Sequence, residues 1–126
     1  MAQAHNKKRV LLLHTGGTLG MVGGDPSPLH PERDVDAVQR ALLQRVPELT
    51  DLAELSIEIL ARQDSCDVTG AQWLAWAERI RADRWAEGIV LIHGTDTMAY
   101  TAGALSFLLE ERSRPVVLTG SQRPLS

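Results

Sequence analysis

A single cysteine, Cys66, leaves this chain of 126 residues without an internal disulfide or a cysteine-built zinc site. A reducing compartment, the cytoplasm, is the matching expectation. Histidine is almost as scarce. His5, His14, His30 and His93 are never three or four residues apart, so no helix turns two of them toward one ion, and no bound metal is expected. Long apolar runs are missing: Val10 to Leu13 is four residues and leads straight into His14, while Met1 to Arg9 has Lys7 and Lys8 but no apolar stretch. No signal peptide and no membrane span are therefore expected. Basic residues are outnumbered, 13 against 16 acidic, giving a net charge of -3 spread along the chain. That balance argues against nucleic acid and membrane surfaces as partners and leaves a small neutral or zwitterionic ligand open.

What is present reads as one soluble domain, 44% hydrophobic and free of internal repeats. Short solid apolar runs alternate with longer helical periods, the pattern of an α/β fold. Val10 to Leu13 predicts a strand of a parallel sheet covered on both faces. The stretch containing Gly23, Gly24, Pro26, Pro28 and Pro31 predicts a mobile loop. Asp34 is placed to cap a helix with Val35, Val38, Ala41, Leu42 and Val46 on one face and Pro47 at its end. Leu55 to Leu60 predicts a second strand. Thr69 and Gln72 form a T-x-x-Q capping box, with Val68 and Trp73 as its hydrophobic staple. The helix that follows is expected to bury Trp73, Trp76, Ala77 and Ile80. A third strand, Ile89 to Ile92, a helix, Met98 to Arg112, with Ala102, Leu105 and Leu109 inward, and a fourth strand, Val116 to Leu118, complete the pattern.

In such sheets the loops after the strands converge on one crevice. Here those loops are Thr15-Gly16-Gly17-Thr18, Asp64-Ser65-Cys66-Asp67, His93-Gly94-Thr95-Asp96-Thr97 and Thr119-Gly120-Ser121. Four strands thus deliver hydroxyls to one rim, with glycines that let backbone N–H groups approach a ligand and a helix start after Thr97, an arrangement suited to an oxyanion. A dinucleotide site does not fit, because Gly16, Gly17 and Gly20 lack the G-x-G-x-x-G spacing, and no phosphate-loop motif occurs. A serine or threonine triad through His93, near Thr15 or Ser65, is possible by composition. Thr95, Asp96 and Thr97 could equally just cap the next helix, and Asp64 and Asp67 could be solvated acids. Cys66 is expected to be a small buried or half-buried residue.

Taken together, T-G-G-T at Thr15 to Thr18, D-S-C-D at Asp64 to Asp67, H-G-T-D-T-M at His93 to Met98 and P-V-V-L-T-G-S-Q at Pro115 to Gln122 resemble the bacterial L-asparaginases. The resemblance runs from about Val10 to Leu125, and D-S-C-D-V-T and M-A-Y-T are similar to the cytoplasmic type I branch. It implies a mostly parallel sheet in a three-layer α/β/α sandwich, Rossmann-like or flavodoxin-like, of which this chain is the N-terminal portion. It also implies hydrolysis of the side-chain amide of L-asparagine to L-aspartate and ammonia, without metal or cofactor. By the same matching Thr15 is the nucleophile and Thr95, with Asp96, belongs to the catalytic set. Asp64, Ser65, Gly94, Thr95 and Asp96 bind the substrate.

The family's lysine beside Thr95 and Asp96 would come from a segment beyond Ser126. Lys7 and Lys8 lie about 20 Å from Thr15, at the wrong end of the first strand. The family's loop tyrosine would align near Leu29, and the chain's one tyrosine is Tyr100. The expectation is an N-terminal piece of the amidohydrolase domain, without the smaller C-terminal domain, completed by that segment or by a homo-oligomer. Its uncovered sheet edge should favour association. A non-catalytic asparagine- or aspartate-binding module, and a glutaminase or amidotransferase subunit acting with an RNA-recognising partner, are the alternatives.

Overall fold

The computed structural model describes residues 6–24, 27–31, 34–110 and 113–124, with the side chains of residues 20 and 22–33 left aside. Its centre is β1 (Lys8–Gly16), whose residues from Leu11 onward are buried. β1 pairs in parallel with β4 (Ala53–Gln63) on one side and β5 (Gly88–Ile92) on the other, and β6 (Val116–Thr119) adds to β5. The sheet order is therefore β4-β1-β5-β6. Because β4 follows β1 on one side and β5 lies on the other, the chain reverses its direction of travel between β1 and β5. That reversal opens a crevice at the carboxyl ends of these two strands.

Alternation along β1 divides two apolar layers. Leu11 and Leu13 face α3 (Gly70–Ala82) and α4 (Met98–Leu108), packing with Trp76, Ala77, Ile80, Leu91, Leu105 and Leu109. Leu12 faces the other way, toward Leu42 of α1 (Val35–Arg45) and Ile92. Helices on both faces of a parallel sheet make the expected three-layer α/β sandwich. No helix among the described residues is long and apolar enough to cross a membrane.

Local signals act as the sequence predicts at both helix starts. Asp34 accepts the N–H of Asp36. At α3 the Thr69 hydroxyl accepts from the N–H of Gln72, and the Gln72 side chain accepts from the N–H of Thr69. The Gln72 amide also exchanges hydrogen bonds of 2.8 and 3.0 Å with that of Gln63, tying the helix start to the end of β4.

Elsewhere the structure corrects the expectation. Residues 21–31 are not simply a loop: β2 (Met21–Gly24) and β3 (Ser27–Pro31) form an antiparallel hairpin. Proline is tolerated in such a two-stranded ribbon because half of each strand's N–H groups face no partner. Pro26 lies outside the described residues, as does Arg112. β4 is longer than Leu55 to Leu60, because its pairing with β1 runs from Lys8↔Ala53 to Gly16↔Gln63. A single helical turn, α2 (Leu49–Leu52), precedes it. α4 stops at Leu108, whose carbonyl accepts from Arg81. Leu105 and Leu109 face inward as expected, but Thr101 is fully buried where Ala102 was expected, and Ala102 is half-buried. Trp73 is half-buried, its indole N–H engaged with Thr101.

At the amino end of the sheet, Arg114 donates to the Asp83 carboxylate at 2.6 Å and to the carbonyls of Ile80, Asp83 and Ala86. Burial pushes the Asp83 carboxyl up, but the Ala86 N–H and the Arg114 guanidinium outweigh it and hold the group below the ordinary carboxylate range. Arg114→Ala removes the only described cation within 3 Å of a carboxylate that is 8% exposed. We expect it to lower the unfolding free energy by about 3 kcal/mol, measured by urea denaturation.

Candidate functional site

The crevice at the β1/β5 reversal is closed by backbone packing. Gly16 has φ +123° and Gly17 φ +84°, a left-handed turn that only glycine adopts without strain. It brings the Gly17 N–H to the Gln63 carbonyl at 3.2 Å and seats Gly17 on Gly94, where a Cβ would fall 2.7 Å from the Gly94 Cα. Gly94 in turn sits on Ser65, and the Gly120 backbone lies against the His93 carbonyl. The loops after all four parallel strands therefore meet, in agreement with the rim predicted from the sequence.

Within that rim the structure brings some predicted residues together. Asp64, Cys66 and Asp96, from the loops after β4 and β5, place their side-chain polar atoms within 4.8 Å of one another, all exposed. Ser65 is buried beside Gly94, and its carbonyl accepts from the Thr97 hydroxyl at 2.7 Å. Thr97 is thus the first residue before α4 but does not cap it. The hydroxyl of Thr15 donates to the Ile92 carbonyl at 2.8 Å, and Thr15 is 2% exposed. Thr95 is exposed. Ser121 turns back on its own loop, donating to the Arg123 carbonyl and accepting from the Arg123 N–H, so it is not drawn into the cluster.

Electrostatics concentrate negative charge here. Asp64 accepts the Cys66 N–H at 2.9 Å; this bond, with the thiol's own, lowers its pKa. The thiol's hydrogen bond to Asp64 and the charges of Asp64, Asp96 and Asp67 push Cys66 up. Contrary to the expectation of a buried or half-buried residue, Cys66 is exposed, its sulfur 4.0 Å from Asp96. The short turn Ser65–Asp67 swings it outward and places Ser65 inward instead. Among the described residues this trio is the group whose atoms could surround a cation. Lys7 and Lys8 lie at the far end of β1, bonded to the Thr50 carbonyl and to Glu87.

His93 does not approach Thr15 or Ser65 as a triad would require. Trp73 Nε1–H donates to the Thr101 hydroxyl, which has one proton left for His93 Nε2 at 2.8 Å. The proton on the ring is therefore at Nδ1, donated to the Gly94 carbonyl at 2.7 Å. His93 is 1% exposed and edge-on to Trp76. Sequence reasoning missed this relay. Its one local signal is a threonine eight residues after His93 on the inward side of a helix.

A four-stranded parallel sheet with helices on both faces and a crevice where its order reverses belongs to the class of open-sheet α/β proteins. Within that class the chain belongs to the asparaginase family: the family's N-terminal domain model matches residues 9–126. It is 40% identical to L-asparaginase 1 of Escherichia coli (strain K12), over 95% of this chain and 36% of that protein. It is 39% identical to a glutamyl-tRNA(Gln) amidotransferase subunit of Methanococcus vannielii, over 94% of this chain and 27% of that one. The crystal structure of L-asparaginase I from Vibrio cholerae O1 biovar eltor superimposes with a TM-score of 0.81 at 37% identity, covering 95% of this chain and 36% of the other. The chain thus spans about a third of the length of these relatives.

Two outcomes follow from the packing. Gly94→Ala places a methyl 2.6 Å from the Ser65 Cβ, and we expect a loss of about 1–3 kcal/mol in urea unfolding, with displaced Ser65 and Cys66 amide resonances. His14, buried, has its pKa lowered to about 4, mainly by desolvation and then by the charge of Arg62. The unfolded ring charges below pH 6.5 and the folded ring does not. The neutral ring's full contribution is therefore present above that pH and lost as pH falls through 4. Between pH 7 and 4 the protein should lose about 3 kcal/mol more than a His14→Phe variant, read by urea denaturation at each pH.

Proposed function

We propose that this chain is the nucleophile-bearing N-terminal part of an L-asparaginase amidohydrolase domain, hydrolysing the side-chain amide of L-asparagine to L-aspartate and ammonia. The observation that carries this reading is the juxtaposition of Asp64 and Asp96 from two different loops beside Ser65 and Gly94. Two close carboxylates suit the α-ammonium of a zwitterion, and the N–H and hydroxyl groups of the same loops suit its carboxylate. Thr15 Oγ1 adds to the amide carbon and its proton passes through a base to the leaving nitrogen. The C–N bond breaks, ammonia departs, and water cleaves the threonyl ester to release aspartate. In the resting chain the Thr15 hydroxyl bonds to the Ile92 carbonyl, so substrate must redirect that proton.

Thr95 and Asp96 complete the catalytic set in this reading, together with a lysine from the segment that follows in longer relatives. The domain finishes there and is followed by a smaller C-terminal one. A homo-oligomer or that complementing segment supplies the rest of the site, and the protein works in the cytoplasm. A second reading, favoured by the identity to an amidotransferase subunit, is the same amide hydrolysis serving a partner with glutamine or asparagine as donor. Comparable turnover of the two amides would favour it.

The test is ammonia release from L-asparagine by the chain joined to the segment that completes the domain. We expect activity that falls at least about a thousandfold in Thr15→Ala. Undiminished activity in Thr15→Ala would remove Thr15 as nucleophile. Tight asparagine binding with no turnover in either protein would make the chain a binding module.

A further inference from the structure

One buried polar group has no place in the reaction above. His14 is 5% exposed and faces the α1 side of the sheet with its register neighbours Ile59 and Ile92, the side opposite to His93. The Gly16 N–H donates to its Nδ1 at 3.0 Å. Nδ1 is therefore unprotonated, the ring proton is on Nε2, and Nε2 has no partner among the described residues. A buried N–H without an acceptor works against folding, and a phenylalanine would fill the same space without it. What the histidine supplies and phenylalanine cannot is the acceptor for Gly16.

We propose that His14 is the positioning residue of the Thr15 loop: through Nδ1 it holds the Gly16 N–H, and with it the left-handed Gly16–Gly17 turn that seats the loop on Gly94. Gly16 is the residue that follows Thr15, and its amide has no freedom to turn while Nδ1 accepts it. The bond survives only while the ring is neutral. Burial favours that state, and so does Arg62 of β4, the charged group acting on the ring. On the same face β5 contributes Val90 and Ile92, and α1 contributes Val38 and Leu42, none of which titrates. Acid therefore releases the turn by putting a proton on the atom that holds it. The consequence for turnover rests on the reading of Thr15 given above, whereas the conformational role does not.

The experiment compares wild type with His14→Asn, whose side-chain oxygen replaces Nδ1 as a non-titrating acceptor, and with His14→Phe. Ring nitrogen shifts in labelled wild type should show the neutral Nε2–H form at pH 7. As pH falls, the ring signal and the Gly16 amide should move together with one midpoint well below that of an exposed histidine. The Nδ1–H form, or a Gly16 amide that ignores the ring's titration, would overturn the proposal even if a variant fails to fold. At pH 6, Gly16 hydrogen-exchange protection should drop at least about tenfold in His14→Phe and stay near wild type in His14→Asn, with Leu12 and Leu13 unchanged; equal protection in all three would also overturn it. In the completed enzyme, kcat should fall in His14→Phe with KM little changed and recover in His14→Asn. If the Thr15 reading fails, Thr15→Ala matches wild type in ammonia release while Gly16 protection still reports on His14.

Discussion

No Cβ can be accommodated where the loop after β1 meets the loop after β5, and the rim is built outward from that contact. Gly17 rests on Gly94 and Gly94 rests on Ser65, so three consecutive layers of backbone and one small side chain occupy a space that larger residues would hold open. The contact lies at the point where the parallel sheet reverses its direction of growth, with the chain leaving β1 toward β4 and the chain leaving β5 toward β6. Close packing there converts a topological gap into a fixed platform. Asp64, Cys66 and Asp96 stand on its outer edge.

Two histidines brace this platform from opposite faces of the sheet, with opposite tautomers. His93 receives a proton-donor chain from Trp73 through Thr101 and passes it to the Gly94 carbonyl, every polar atom satisfied. His14 accepts from the Gly16 N–H and leaves its other nitrogen unpaired among the described residues. One brace grips a carbonyl and the other an amide, on the two loops that meet. Both rings bond the backbone of these loops, and the exposed carboxylates of Asp64 and Asp96 are not among their hydrogen-bond partners.

The opposite end of the sheet carries a different kind of order. Arg114 gathers three carbonyls near the end of α3 together with Asp83, and Glu87 accepts from Lys8 and the Arg9 N–H. Charges are paired there, whereas at the carboxyl-end rim carboxylates crowd without a described cation hydrogen-bonded to Asp64 or Asp96. The contrast separates a charge-paired end from an acidic one, and Lys7 and Lys8 belong to the former.

Much of this was legible in the residues themselves. The parallel α/β layering followed from solid apolar runs such as Val10 to Leu13, and the start of α3 from Thr69 and Gln72, because both depend on near neighbours in the chain. The family was legible from contiguous motifs. The hairpin at residues 21–31 was not, since proline and glycine content signals a break in regular structure without saying that two short segments will pair across it. Nor was the burial of Thr101 on α4 or the outward swing of Cys66 legible. The sequence by itself determined the four parallel strands, the three longer helices and which loops reach the rim. Only the tertiary structure decided which hydroxyl is bound to which carbonyl, which nitrogen of each histidine holds the proton, and which acids share a corner. Those choices depend on strand register and layer packing between residues far apart in the chain, as when Thr15 finds Ile92 and Thr97 finds Ser65.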